Sequence, residues 1–227
     1  VSPPVSNMFR SLSIRNYRIW FVGALVSNIG AWMQATTQNW VVLTELTANN
    51  AAAVGVTMAL QFGPQLLLVP FSGAVADRFE RRKVLLVTQS LLMLLAAGLG
   101  ALLITGEAEL WHLYSFALAL GIVNAFDTTA RQAFVSDLVG RARPSNAVAW
   151  NSASFNAARL VGPAVAGILI AIVGSGWVFL INAVSFLGVI SALLLIRTAR
   201  RALPNDRPRE SQLRQLSAGL RYVRGRH

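Results

Sequence analysis

The sequence predicts an all-α membrane protein with six transmembrane helices. Only 13% of its 227 residues are charged and 55% are hydrophobic, whereas about 25% of residues are charged in a typical soluble domain. Five long stretches hold no charged residue: residues 19–44, 46–76, 84–106, 110–126 and 160–196. A membrane-spanning helix needs about 20 mainly apolar residues, so the last stretch has room for two passes joined at Gly174-Ser175-Gly176. The predicted spans are residues 19–44, 53–76, 83–105, 111–130, 146–173 and 177–197.

The positions of the basic residues orient these spans. Of the 20 Lys and Arg residues, all except Arg159 fall before span one, between spans two and three, between spans four and five, or after span six. The other loops hold Glu45, Glu107 and Glu109 instead. Because cytoplasmic loops are enriched in Lys and Arg, both termini are predicted to be cytoplasmic. This distribution accounts for the net charge of +11 without a nucleic-acid partner.

Three segments are predicted along the chain. Residues 1–18 form a cytoplasmic N-terminal segment, residues 19–197 form the transmembrane bundle, and residues 198–227 begin a cytoplasmic loop. In this last segment apolar residues recur at spacings of three and four between arginines, at Leu213, Leu216, Leu220 and Val223. The spacing predicts an amphipathic helix that lies on the inner membrane surface.

A weak internal repeat is visible within the bundle. Gly63-Pro64 lies in span two and Gly162-Pro163 lies in span five. These spans run in opposite directions across the membrane, so the two pairs fit an arrangement of two inverted three-helix repeats.

Residues 73–83, here called the charged segment, concentrate charge between spans two and three. Their sequence is GAVADRFERRK. A topology anchor would account for the three cations at its end but not for Asp77. A carboxylate just before a helix start is favoured by free amide groups and the helix dipole, and it can hold the guanidinium fork of a neighbouring element. Gly73 has no side chain, so another helix can approach it closely.

The charged segment resembles the signature loop of the major facilitator superfamily, in the spacing Gly73-x-x-x-Asp77-Arg78-x-x-Arg81-Arg82-Lys83. The family usually has glycine where this chain has Glu80, which leaves the turn geometry there open. "GAWMQATTQNWVVLTELT", "FDTTARQAFVSDLVG", "AARLVGPAVAGIL" and "LRYVRGRH" resemble the exporters related to the enterobactin exporter. The resemblance covers the whole chain but only half of the family's length. It therefore implies the N-terminal six-helix bundle of a major facilitator fold, whose partner is a C-terminal six-helix bundle.

The resemblance also implies a function. Such proteins are secondary active transporters, so we expect proton-coupled export of a small molecule such as a drug or siderophore across the bacterial inner membrane by alternating access. The acid that would carry the proton is not evident, because no predicted span has an acid at its centre. In the family the signature loop is a gate, and Asp77 would hold the start of a helix in the C-terminal bundle. The residues to which gating is assigned are Gly73, Asp77, Arg78, Arg81 and Arg82.

Polar residues inside the spans are the candidates for cargo binding, because such residues are costly in lipid. The resemblance implies that spans one, two, four and five line the cargo cavity. The candidates are Asn28, Trp32, Gln38, Gln61, Gln65, Asn124 and Arg159. Packing between helices would explain the amides of span one equally well. Asn182 and Ser185 in span six are expected to join helices.

Arg159 is the foremost of these candidates. It lies about 18 Å into its span at 1.5 Å per residue, which is too deep for its side chain to reach the interface. Asp127 is expected near the cytoplasmic end of span four, paired with Arg131 one turn on. Arg159 is then left with backbone carbonyls, an acid of the C-terminal bundle or the cargo.

Other functions fit the sequence less well. An intramembrane protease needs a nucleophile with a base, or two aspartates, within the membrane, and neither His112 nor His227 lies deep in a span. A six-helix channel fits the span count, but paired Asn-Pro-Ala motifs are absent from the sequence. A truncated or non-transporting membrane protein stays open. The sequence has no cysteine and no phosphate-binding glycine loop, so no cofactor, metal or enzymatic activity is expected.

Overall fold

The computed structural model describes residue 11, residues 13–139 and residues 144–196, and all regular structure within them is helical. The helices are α1 (Arg15–Trp40), α2 (Ala51–Arg78), α3 (Arg81–Thr105), α4 (Leu110–Val139), α5 (Pro144–Val173) and α6 (Ser175–Leu195). A π-helical segment, Val41–Leu46, continues α1 at its end. The amphipathic helix predicted after residue 198 lies outside the described residues.

Helices α2 to α6 are each long and apolar enough to cross a membrane. Helix α1 takes the place of predicted span one but does not reach the same apolar character, since amides and hydroxyls interrupt its second half, as at Gln34, Thr37 and Gln38. The all-helical membrane class is therefore confirmed, and membrane crossing by α1 stays a prediction.

Helix α4 departs most from its predicted span. Span four was expected to end at residue 130, whereas α4 ends at Val139. Assigning Arg131 to the following loop is wrong, because the residue belongs to α4 and its guanidinium pairs with Asp127 at 3.1 Å. Asp127 lies 12 residues before the end of α4, and its depth in the membrane stays a prediction. An ion pair one turn apart remains compatible with a helix even where the apolar pattern stops.

The bundle is built from a few extensive helix pairs. Helix α2 packs on α4, α1 packs on α5 and α6, and α3 packs on α4 and α6. Two glycines allow the closest approaches. A Cβ on Gly121 of α4 would overlap the backbone carbonyl of Gln61 in α2, and a Cβ on Gly162 of α5 would lie 2.5 Å from the Cβ of Trp32 in α1. Small residues at such crossings bring helix backbones together, which is how membrane helices pack without a hydrophobic driving force.

The buried apolar residues and the exposed ones lie on different faces. One core cluster joins the first part of α1, the start of α3 and the ends of α4 and α6, and it includes Tyr17, Trp20, Leu85, Phe134 and Leu193. Helices α2 and α5 instead expose large apolar side chains, and Leu66, Leu67 and Leu160 are each more than three-quarters exposed. Such a surface suits contact with lipid or with further protein in the membrane.

Candidate functional site

A cavity of about 530 Å³ lies among the helices. Its wall comes chiefly from α1, α4 and α5, with Gln61 from α2, Leu92 from α3, and Asn182 and Phe186 from α6. The carboxamides that line it are Asn28, Gln34, Gln38, Gln61, Asn124, Gln132, Asn151, Asn156 and Asn182. A volume of this size suits a small molecule. The carboxamides in its lining can form hydrogen bonds with polar groups of such a molecule.

The cavity collects some of the predicted binding residues but not others. Its lining includes four of them: Asn28, Gln38, Gln61 and Asn124. Trp32, Gln65 and Arg159 are not among its lining residues. Binding of cargo by any of these seven residues stays a prediction.

Two of the lining amides of α1 also connect helices. Asn28 Nδ2 donates to Ser154 Oγ of α5 at 3.4 Å, and Gln38 Nε2 donates to Gln61 Oε1 of α2 at 3.2 Å. A carboxamide has two donors and an acceptor with two lone pairs, so one bond between helices leaves groups that can face the cavity. The two explanations considered for span one, helix packing and cargo contact, are therefore compatible with each other.

Helix α6 contributes more to the cavity than the sequence indicated. Asn182 Nδ2 donates to Gln34 Oε1 of α1 at 2.5 Å, and Asn182 Oδ1 accepts from Ser185 Oγ at 3.0 Å. Asn182 thus joins α6 to α1, as expected, while it also lines the cavity. Gln34 was missed as a site residue, and its one-turn spacing from Gln38 along α1 was the signal that could have revealed it.

An ion pair that belongs to a larger network lies in the cavity wall. The residue Asp127 is only 4% exposed. Its Oδ1 accepts from Thr88 Oγ1 and Gln89 Nε2 of α3, both at 2.7 Å, and its Oδ2 accepts from Arg131 Nη2 at 3.1 Å and Arg131 Nε at 3.2 Å. The Arg131 guanidinium also lies 5.5 Å from the Trp20 ring centroid. Four donors saturate the carboxylate, and Arg131 neutralises it.

The second half of the charged segment is bound within the chain. Arg81 Nη1 donates to Asp137 Oδ2 at 2.6 Å and to the Ala133 carbonyl at 3.2 Å, both on α4. Arg82 Nη2 donates to the Leu194 carbonyl at the end of α6 at 3.2 Å. These two arginines therefore tie the start of α3 to α4 and α6. Asp137 was not predicted to contact the charged segment, because it lies 56 residues from Arg81 in the sequence.

The first half of the charged segment, residues 73–78, is open in the sense that its charged side chains are not bound by other described residues. Asp77 lies in the last turn of α2, so its predicted place at a helix start is wrong: the next helix begins at Arg81, and the helix dipole argument does not apply within this chain. Asp77 and Arg78 are exposed, and among the described residues neither side chain has a hydrogen bond or ion pair. A Cβ on Gly73 would meet nothing within 4 Å.

Glu80 does not need the backbone freedom of glycine. It precedes α3 with φ −63° and ψ 113°, an extended conformation that any residue adopts. Its carboxylate lies 3.2 Å from Lys83 Nζ. The departure from the family pattern at this position therefore leaves the turn between α2 and α3 intact.

Arg159 lies in the middle of α5, about 22 Å from either end of the helix at 1.5 Å per residue. Its side chain is exposed, and its guanidinium lies 5.6 Å from the Trp32 ring centroid. Trp32 in turn contacts Phe155 edge to face at 5.5 Å, and Phe155 lines the cavity. Among the described residues the Arg159 guanidinium has no carboxylate within ion-pair distance.

Among the described residues, no group of three or more His, Asp or Glu side chains could hold a metal ion.

Comparison with known proteins identifies the family of the chain. The family model described as transmembrane secretion effector matches residues 6–226. The chain belongs to this family of the major facilitator superfamily. The Staphyloferrin A transporter of Staphylococcus aureus is 29% identical over 198 residues, which cover 87% of this chain and 49% of that protein.

Siderophore exporters of enterobacteria are also similar to the chain. Enterobactin exporter EntS of Shigella boydii is 27% identical over 179 residues, which cover 79% of this chain and 42% of that protein, and EntS of Escherichia coli matches to the same extent. The chain thus spans about half the length of the curated relatives it matches. It is a multi-pass membrane protein of an efflux family.

Proposed function

We propose that the chain forms the N-terminal six-helix bundle of a secondary transporter that exports a siderophore-like small molecule across the bacterial cytoplasmic membrane. The observation that carries this proposal is the cavity, which is lined by amides within a bundle of apolar, membrane-length helices. Polar groups inside a membrane bundle mark a pathway or binding site for a polar ligand. Similarity to the Staphyloferrin A transporter and to Enterobactin exporter EntS supports a siderophore as the cargo.

Alternating access is proposed to rest on two inverted three-helix repeats. If α1, α2 and α3 are equivalent to α4, α5 and α6, the pair α2–α4 corresponds to α5–α1, and α1–α6 corresponds to α4–α3. The pair α3–α6 corresponds to itself. All of these pairs are principal contacts of the bundle, and Pro64 and Pro163 lie inside the equivalent helices α2 and α5. This pairing supports the repeat, which places cargo at the repeat interface in such transporters.

The charged segment is proposed to gate the cytoplasmic side together with a C-terminal six-helix bundle. Its open half supports this assignment, because Asp77 and Arg78 are exposed and Gly73 leaves room for a helix. Its bound half would hold the gate in place through Arg81 and Arg82, which join α3 to α4 and α6. Cytoplasmic placement of this segment and of both termini is part of the proposal, and the distribution of the basic residues supports it.

Coupling to a proton is also part of the proposal. Asp127 is not assigned to it, because its carboxylate already accepts four hydrogen bonds and faces Arg131. Loss of the negative charge of Asp127 would leave the partly buried Arg131 guanidinium without its counter-ion, which is unfavourable.

Export by the natural full-length protein tests the proposal. The protein is expressed in an Escherichia coli strain that lacks its enterobactin exporter and carries the genes for staphyloferrin A synthesis, and both siderophores are quantified in medium and cells. We expect at least one of the two siderophores to move from the cells to the medium. Retention of both at a normal membrane level of the protein would contradict siderophore export.

A further inference from the structure

We infer that the cargo is an organic anion recognised through Arg159, and that organic cations are disfavoured. This inference rests on the proposed function, because it concerns the cargo of the same bundle. It follows from the charges that the described residues present at the cavity and beside it.

No free carboxylate faces the cavity among the described residues that line it. Asp127 is the one acid in the lining, and its carboxylate is occupied by Thr88, Gln89 and Arg131. Apart from Arg131 the remaining polar lining groups are neutral amides and hydroxyls. A cationic amine that enters this cavity therefore loses its hydration without gaining a free carboxylate, which is unfavourable.

Arg159 presents the opposite situation. Its guanidinium is positively charged and needs acceptors at mid-membrane depth. The Trp32 ring gives it a cation–π contact but no acceptor, and no carboxylate of the described residues reaches it. The planar fork of a guanidinium matches two oxygens of a carboxylate or similar oxyanion. Phe155 connects this group to the cavity, since it contacts Trp32 and lines the wall.

Binding of two dyes of opposite charge tests the inference. Carboxyfluorescein, an anion, and rhodamine 123, a cation, share the xanthene framework and have similar size. Their affinities for the purified full-length protein in detergent are measured by fluorescence anisotropy. We expect the anion to bind about tenfold or more tightly than the cation, as one charge-assisted interaction allows.

Variants test whether Arg159 is responsible for this preference. Arg159→Gln is expected to weaken carboxyfluorescein binding about tenfold at an unchanged unfolding temperature, and Arg159→Lys to be intermediate, since it keeps the charge without the fork. Arg18→Gln removes an exposed arginine at the cytoplasmic end of α1 and is the matched control, with wild-type binding. In Arg131→Gln, Asp127 loses its counter-ion, so rhodamine 123 binding is expected to rise.

Several results would overturn the inference. These are equal or tighter binding of rhodamine 123, no binding of carboxyfluorescein, and wild-type anion binding by Arg159→Gln. A lower unfolding temperature of Arg159→Gln at unchanged anion binding would show that an acid of the C-terminal bundle occupies the fork. A protein that exports a siderophore without preferring the anionic dye would refute the inference alone. One that prefers the anion but exports neither siderophore would refute the proposed function alone.

Discussion

Helices α1 and α5 both contribute polar side chains to the same region, yet these side chains are engaged differently. Asn28 and Gln38 of α1 each donate a hydrogen bond to another helix. On α5, Asn156 donates only to the Ser152 carbonyl one turn earlier at 2.9 Å, and Arg159 has an aromatic ring as its neighbour. A polar group in a membrane helix can therefore stabilise helix packing, or it can stay available for a ligand. Its partners distinguish the two roles better than its residue type does.

The largest loss of stability is expected where a buried polar group has the most partners. Asp127→Ala would leave the Arg131 guanidinium without its counter-ion and deprive Thr88 and Gln89 of their acceptor, a loss of about 3–5 kcal/mol. Thermal unfolding of the purified protein measures it. Asp137→Ala is the comparison, because that ion pair with Arg81 is more exposed and its loss should be smaller. Equal unfolding temperatures for the wild type and Asp127→Ala would refute the holding role of the network.

Close approach of two helix backbones gives the next largest effect. Gly121→Ala is expected to destabilise the bundle by about 1–3 kcal/mol, because the new Cβ overlaps the Gln61 carbonyl and forces α2 and α4 apart. Gly63→Ala is the matched control on α2, where a Cβ would meet nothing within 4 Å. If both alanine variants unfold at the same temperature, the α2–α4 crossing is looser than described.

A single hydrogen bond between side-chain amides of two helices contributes less to the stability of the bundle. Gln38→Ala removes the hydrogen bond to Gln61 and is expected to cost about 1 kcal/mol, the typical size of such bonds in membrane bundles. Gln65→Ala provides the control, because Gln65 lies one turn from Gln61 and has no side-chain hydrogen bond among the described residues. An equal effect of the two substitutions would mean that the α1 amides do not hold the bundle.

The smallest effect on stability is expected at Asp77. Asp77→Asn removes the charge of an exposed group that has no partner in the described residues, so membrane level and unfolding temperature should be unchanged. Siderophore export by the full-length protein should fall, because the proposed cytoplasmic gate would close less firmly. Wild-type export by this variant would reduce the charged segment to a topology anchor.

The sequence predicted the helices well, because long uncharged stretches admit little else in a membrane protein. It also predicted the pair Asp127–Arg131, since residues one turn apart on a helix meet. The sequence did not predict the contacts between helices. The hydrogen bonds from Thr88 and Gln89 to Asp127, and from Arg81 to Asp137, depend on how the helices pack against one another. The true end of α4 was missed because Arg131 carries the charge of a loop residue while it lies in a helix.

The contrast between α1 and α5 is tested most directly at Arg159. Arg159, Arg159→Lys and Arg159→Ala versions of the full-length protein are compared for unfolding temperature in detergent and for export of the siderophore that the wild type secretes, per molecule in the membrane. We expect export to fall in the order Arg, Lys, Ala at nearly constant unfolding temperature, since the Arg159 guanidinium has no acceptor to lose among the described residues. A lower unfolding temperature for Arg159→Ala with unchanged export per surviving molecule would contradict a role in cargo binding and place Arg159 with the residues that hold the fold.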